Sequence, residues 1–446
     1  MDLANRLVVV VGLGRSGVAA ARLCLSRGAR VVANDVADVS KLSPEARALE
    51  QKGAKLVLGG HDHAPWDEAD LVVVSPGVPA FPALAKAEAR GVEIVGELEL
   101  GARFAKAPIV AIGGTNGKST TTSLVAAMLE ASGKRTFAGG NLGVPLCEVI
   151  GDEYDVLVLE VSSFQTERVS TFRPRVAALL NVTDDHLDRH AGFDAYAEAK
   201  GNVFVRQLPD DVAVVPAGDS ICLEQAARGR GRLVTFGKGG DVYVDRGAIV
   251  DSLRGRRHSL DGFRLQGEHN LANACAAVAV ATEVGATPDG IAKTLSSFEG
   301  LAHRTVFVAE IDGVRFYDDS KGTNVGASVA ALIGLREERA VLIAGGRDKF
   351  GSYEPLVEAL AKKGRALVVL GEAAERIAAA AKGVVDVVFA SSMSDAVDKA
   401  KSLAQHGDAV LLSPACSSFD MFRSYAERGD AFVRAVRELE ARRSSA

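Results

Sequence analysis

The chain has 446 residues, 48% hydrophobic and 24% charged, with a formal net charge of −5. That length allows two to four domains at roughly 100–200 residues each, and the mild acidity excludes a general attraction to nucleic acid or anionic membrane. No apolar run approaches the ~18 residues of a membrane span; "MDLANRL" lacks the apolar core of a signal peptide; and the scattered Cys24, Cys147, Cys222, Cys275 and Cys416 argue against a disulfide framework or zinc site and for a cytoplasmic location.

Short β-branched runs alternate with Ala/Leu-rich helical patterns from the start: "RLVVVVG", "ARVVAND" and "ADLVVVSPG". Such runs suit strands covered on both faces, and the βα alternation implies parallel sheets. "VVGLGRSGVAAA" places Gly12, Gly14 and Gly17 as a G-x-G-x-x-G after a strand, with Asp35 ending the next one. The pattern fits a dinucleotide site. Glycines at a helix start plus an acid at the next strand end suit any nucleotide-like ligand, so a dehydrogenase and other nucleotide-binding proteins both stay open here. "GELELGARFAKAP" reads as a helix and connector, closing a first domain over 1–97.

A second domain is expected over 98–301. "PIVAIGGTNGKSTTTSLVAAML" runs strand, glycines, Lys118-Ser119, helix. Freed backbone N–H groups, a helix N-terminus and a lysine make an anion cradle, and Ser119 can ligate Mg²⁺. The usual Walker spacing fails: its first Gly position is Ile112. "LNVTDDHLDRHAGF" concentrates acids and His after a strand; Glu160, ending the preceding strand, and a His nitrogen would suit a divalent metal. The competing reading is a solvated loop with Thr183 or Asp184 as a helix cap. Lys200 sits in a helical pattern and reads as surface. His269, Asn270 and Asn273 lie at a helix start, where capping explains one and Asn273 is left for a ligand. "GRLVTFGKGGDVYVDRGAIV" alternates with Gly turns and predicts antiparallel strands.

The third domain, 302–446, opens with His303 and Arg304 at a junction from which an Arg can reach a phosphate. "TVFVAEIDGVRFYDD" predicts a hairpin with a Gly turn. Along the whole chain polar clusters follow strand ends, as ligand sites do in parallel sheets: "SPG", "GGTNGKST", "SSFQ", "TDDH", "DSKGTN", "GGRDKF" and "SPACSSFD".

These strings, in this order, resemble the Mur ligases, ATP-dependent amide-bond-forming enzymes of peptidoglycan synthesis. The short-spaced "GTNGKST" carries the resemblance together with "GGNLG", "EVSSFQ", "NVTDDHLDRH", "GEHNLAN", "AHR", "DDSKGTN" and "LSPACSSFDMF". Within the family, "SSFQ", "DDSKGTN" and "SPACSSFDMF" resemble the member that adds D-glutamate to UDP-N-acetylmuramoyl-L-alanine through an acyl phosphate. The resemblance implies an α/β chain of three domains: Rossmann-like N-terminal, a central P-loop ATPase-like domain with a parallel to mixed sheet, and Rossmann-like C-terminal. It implies small-molecule partners only (the UDP-sugar, D-glutamate and ATP) and a monomer.

By the same resemblance ATP falls to Gly114, Thr115, Asn116, Gly117, Lys118, Ser119 and Thr120, with Asn273, Arg304 and Asp319. The UDP substrate falls to Gly14, Arg15, Ser16, Asp35, Ser75 and Gly77, with Asn141 and Gln165. D-Glutamate falls to Lys321, Thr323, Lys349, Ser418 and Phe419. Two Mg²⁺ ions would be held by Ser119, Glu160, His186 and a carbamylated Lys200, and Lys118, Glu160, His186 and Lys200 would carry the catalysis. One departure stands out: Val36-Ala37 follow Asp35 where relatives carry a polar and a basic residue, which leaves Arg15 as the substitute contact to the diphosphate.

Overall fold

The computed structural model describes residues 1–185 and 189–444. Three sheets organise them. In the first, all pairs parallel, Leu7–Val11 lies central, with Arg30–Asp35 and Lys55–Leu58 on one side and Leu71–Val74 and Glu93–Gly96 on the other. Alternate residues of "LVVVV" pack into separate clusters on the two faces, Val8 and Val10 in one and Val9 and Val11 in the other. This double burial is why the run is continuously apolar. The strand order reverses beside Leu7–Val11, the position where such sheets open a ligand crevice. Gly17 lets the helix Arg15–Ser26 lie against that turn, because a Cβ there would meet the Gly12 carbonyl oxygen at 1.8 Å.

The second sheet has nine strands. Ile109–Gly113 is flanked by Val156–Glu160 and Val176–Leu179, and the parallel core continues through Val212–Pro216 and Arg232–Phe236. Val242–Asp245, Ala248–Asp251 and Arg256–Ser259 extend it as the expected antiparallel meander. The helices Lys118–Ala131 and Glu268–Glu283 cover one face, and Phe172, Tyr196 and Phe204 fill the other. The helix Glu268–Glu283 corrects one expectation. Its N-cap is Gly267, with no side-chain cap, so neither His269 nor Asn270 nor Asn273 caps it. Instead Asn270 Nδ2 donates to the Gln266 carbonyl at 2.7 Å and Asn273 Nδ2 to Asn270 Oδ1 at 3.3 Å.

In the third sheet the hairpin Val306–Ile311/Val314–Asp318 turns at Asp312 (φ 51°) and Gly313 (φ 72°), and Ala409–Leu412, Ala340–Gly345, Gly364–Leu370 and Asp386–Phe389 run parallel beyond it. The carboxyl ends of the second and third sheets meet at one cavity of about 930 Å³. No helix among the described residues is long and apolar enough to cross a membrane.

Candidate active site between the central and third sheets

The strand Ile109–Gly113 delivers the chain into a loop shaped by Gly114 (φ 142°) and Gly117 (φ 83°). The loop is pinned from the neighbouring strand end: Thr115 N–H donates to the Asn181 carbonyl at 2.9 Å and Asn116 N–H to Asn181 Oδ1 at 2.8 Å. Gly117 is required by its positive φ, and the missing Cβ lets Asn273 Oδ1 lie close against it. The helix Lys118–Ala131 then starts without a side-chain cap, which leaves its first N–H groups and its dipole to an anion. Lys118 folds back to donate to the Thr115 carbonyl at 2.7 Å. Burial holds its pKa below the usual lysine range, against the pull of Glu160 and Asp185.

Glu160 ends the adjacent strand Val156–Glu160. One carboxylate oxygen accepts from Ser119 Oγ at 2.5 Å and the other from Asn141 Nδ2 at 2.5 Å. It is 3% exposed, and Lys118 with these donors keeps it ionised against burial. A hydroxyl and a buried carboxylate at a phosphate loop are hard oxygen donors of the kind Mg²⁺ takes. The residues therefore fit nucleotide and Mg²⁺, with Ser119 and Glu160 as the holders. Among the described residues no group of three or more His, Cys, Asp or Glu side chains gathers for a metal. His186 lies outside the described residues.

The third domain reaches this loop directly. Arg304 Nη2 donates to Ser119 Oγ at 2.8 Å. Asn324 Nδ2 donates to Asn116 Oδ1 at 3.0 Å and Asp185 Oδ2 at 3.1 Å. Lys349 forms an ion pair with Asp185 at 2.9 Å. Asp319 lines the cavity, accepting from Thr305 N–H at 3.1 Å and Ser413 Oγ at 2.6 Å, and burial lifts its pKa to about 7. Lys321, Thr323, Ser418 and Phe419 line the same cavity, Phe419 with 66% of its surface exposed.

The structure thus brings Thr115 to Thr120, Glu160, Asn273, Arg304, Asp319 and the five residues expected for the amino acid around one space. Asn141 joins them on Glu160, away from the other residues expected for the UDP-sugar. Gln165 is engaged locally: its Oε1 accepts from Ser162 N–H at 2.9 Å and Oγ at 3.0 Å, an N-terminal box for the short helix Ser163–Thr166. Lys200, far from being a surface lysine, is 4% exposed. Its Nζ donates to the Gly114 carbonyl at 2.8 Å and lies 4.5 Å from the Tyr196 ring centre. It supports the loop from behind, and burial holds its pKa well below the usual lysine range.

The remaining residues expected for UDP gather on the first sheet. Gly14 and Arg15 are exposed and Ser16 half-buried at the start of the helix Arg15–Ser26. Asp35 accepts from Leu13 N–H at 2.6 Å and Ala37 N–H at 2.8 Å, which ties the glycine turn to the next strand end. Ser75 Oγ donates to the Gly12 carbonyl at 2.7 Å, and Gly77 is exposed. Arg189 of the central domain donates to the Val78 carbonyl at 3.0 Å, joining the two domains at this edge. Asp185, Asn181 and Asn324 were not singled out from the sequence. Asp185 was legible as the second acid of "TDDH"; Asn324 was not, since its partners come from another domain.

An arginine that crosses from one domain to the phosphate loop of another marks the class of nucleotide-dependent enzymes that work in an interdomain cleft. Comparison with known proteins narrows the class. Family models match three successive stretches: "Mur ligase MurD-like, N-terminal domain" over 6–96, "Mur ligase middle domain" over 112–281, and "Mur ligase, glutamate ligase domain" over 303–416. The UDP-N-acetylmuramoylalanine--D-glutamate ligase of Geotalea daltonii is 44% identical over 98% of this chain and 99% of its own. That of Desulfosudis oleivorans is 44% identical over 99% and 98%. In fold, the MurF ligase of Thermotoga maritima, solved with ADP, superposes with a TM-score of 0.62 at 19% identity, covering 99% of each chain. The chain belongs to the Mur ligase family.

Proposed function

We propose that this protein is the ATP-dependent ligase that joins D-glutamate to UDP-N-acetylmuramoyl-L-alanine, in the cytoplasm, forming amide, ADP and phosphate. The observation that carries the reading is the convergence of Lys118, Arg304, Lys321 and Lys349 on the cavity that holds the Ser119–Glu160 pair. The names of the relatives and the D-glutamate strings of the sequence support it. We take 1–97, 98–301 and 302–446 as the UDP-sugar, ATP and amino-acid domains.

Amide formation from a carboxylate fails in water because oxide is a poor leaving group. Attack of the alanine carboxylate oxygen on the γ-phosphorus breaks the bond to ADP and gives an acyl phosphate. The amine of D-glutamate then attacks its carbonyl carbon, phosphate leaves, and the amine loses a proton. The first step sets anion against anion. At ~4 Å in a surface-like dielectric each unit-charge pair costs about 4 kcal/mol. Lys118 and Arg304 sit on the loop side and offset that repulsion; Lys321 and Lys349 sit on the third-domain side, where a dianionic amino acid needs cations. Mg²⁺, held by Ser119 and Glu160, would supply further charge neutralisation at the phosphates. We assign His186 and a carbamate on Lys200 to the same purpose. A depressed pKa provides the neutral amine that carbamylation needs.

The test is phosphate release from ATP and Mg²⁺ with UDP-N-acetylmuramoyl-L-alanine and a panel of amino acids. D-Glutamate should give the highest rate, over L-glutamate, D-aspartate, L-alanine and the diamino acids. Equal turnover with L-lysine or diaminopimelate would overturn the assignment.

A further inference from the structure

Four lysines surround the phosphate loop, and three already have a polar partner. Lys118 donates to the Thr115 carbonyl, Lys200 to the Gly114 carbonyl, and Lys349 to Asp185. Lys321 is different. Among the described residues its ammonium has no hydrogen-bond acceptor and no carboxylate within ion-pair distance. Its partner is the face of Tyr425, with Nζ 3.8 Å from the ring centre. A ring face attracts a cation through its quadrupole while occupying none of the ammonium's N–H donors.

The residue that carries the ring is fastened at its backbone. Ser320 Oγ donates to the Tyr425 carbonyl at 2.8 Å. Arg428, 2% exposed and one turn further along the helix Tyr425–Ser444, donates to Ser320 Oγ at 3.0 Å and to the Ser320 carbonyl at 2.9 Å. The loop carrying Lys321 and the residue carrying the ring are thereby fastened to each other. Lys321 N–H is fixed in turn to the His303 carbonyl at 3.0 Å, and the His303 ring meets Tyr425 edge-on at 6.1 Å. Both Lys321 and Tyr425 line the cavity beside Thr323, Ser418 and Lys349.

We propose that Tyr425 is a positioning residue for amino-acid capture: its ring face holds the Lys321 ammonium in place with its N–H donors left for a carboxylate of the incoming amino acid. This rests on the reading above that D-glutamate binds at the third-domain end of the cavity. It adds to that reading a residue that acts through Lys321, by its π-face and not by its hydroxyl.

The test keeps the side-chain shape and varies only the ring's quadrupole. Tyr425 is replaced by Phe, then by mono-, di- and trifluorinated phenylalanine, in the full-length enzyme. Tyr425→Phe should hold the KM for D-glutamate within about twofold. Fluorination should raise that KM stepwise, to roughly tenfold for the trifluoro ring, with the KM for ATP unchanged within twofold. A flat series with activity retained would overturn the proposal. So would equal rises in both KM values, or a tenfold loss in Tyr425→Phe alone, which would place the effect in the hydroxyl. An enzyme whose wild type releases no phosphate with D-glutamate would instead overturn the reading on which it rests.

Discussion

Lys349 of the third domain and Asp185 of the central domain form an ion pair 2.9 Å long across the cleft, with side chains 21% and 7% exposed. The pair ties the two domains to each other, and the lysine assigned to the amino acid is already occupied. A substrate carboxylate taking Lys349 exchanges with Asp185. Lys349→Ala should raise the KM for D-glutamate at least tenfold, about the cost of one charge-assisted contact, and that for ATP by less than threefold. Initial rates with each substrate varied in turn decide it; equal rises would remove Lys349 from the amino-acid end.

Lys118→Ala should abolish turnover and leave the fold intact. The side chain's polar contact within the protein is the Thr115 carbonyl, so its removal costs little packing, whereas the phosphate loop loses a cation. Phosphate release together with a thermal melt separates the two effects. Near-wild-type release with unchanged nucleotide affinity would contradict the phosphate-cradle reading.

The first domain should bind UDP and not a nicotinamide dinucleotide. A hundredfold excess over Kd should stabilise it by roughly 2.7 kcal/mol. Asp35→Ala should weaken that protection, because Asp35 fixes Leu13 N–H and Ala37 N–H around the crevice. Melting curves with UDP and with NADH settle the matter. A shift with NADH and none with UDP would revive the dehydrogenase reading of the G-x-G-x-x-G.

Lys200→Ala should lose most activity, and Lys200→Arg should do no better although it keeps a charge. The site is buried, and a guanidinium cannot become a carbamate. A short carboxylic acid added to the Ala variant should restore part of the rate by supplying the missing oxygens. Full activity in Lys200→Arg would leave the carbamate without support.

Glu97 predicts a pH effect far from the chemistry. It is 1% exposed; one oxygen accepts from Cys147 N–H at 2.7 Å and the other has no hydrogen-bond partner among the described residues. Burial, opposed by the Cys147 bonds, raises its pKa to about 7 from 4.5. The folded state therefore holds a proton that the unfolded chain releases. The stabilisation is whole below about pH 4.5, falls as pH rises, and is gone above about pH 7. Glu97→Gln should remove that fall, roughly 2–4 kcal/mol in all. Melting temperatures at pH 5.5 and 8 test it: the variant should gain on the wild type at pH 8. Parallel curves would mean that Glu97 does not ionise in this window.

Much of this was legible because the signals are local. "LVVVV" is apolar throughout since both faces of its sheet are covered, and the polar strings sit where parallel strands end. The capping pattern Ser162-x-x-Gln165 was equally legible, and it engages Gln165 through Oε1. What the sequence could not reveal are pairings between distant positions. Asn324 and Asn116 are 208 residues apart, and Lys349 and Asp185 are 164. No periodicity encodes such contacts; they exist only once two sheets present their carboxyl ends to one cavity. Lys200 misled for a related reason. A lysine in a helical pattern is ordinarily solvated, and only the packing of its helix behind the phosphate loop buries it.

The central claim is that ATP is consumed to activate a carboxylate as an acyl phosphate. It is tested most directly with UDP-N-acetylmuramoyl-L-alanine bearing ¹⁸O in the alanine carboxylate, followed by mass analysis of the phosphate released with D-glutamate. The mechanism predicts transfer of one labelled oxygen into each inorganic phosphate, with ADP as the other nucleotide product. Unlabelled phosphate, or AMP and pyrophosphate in place of ADP, would contradict it.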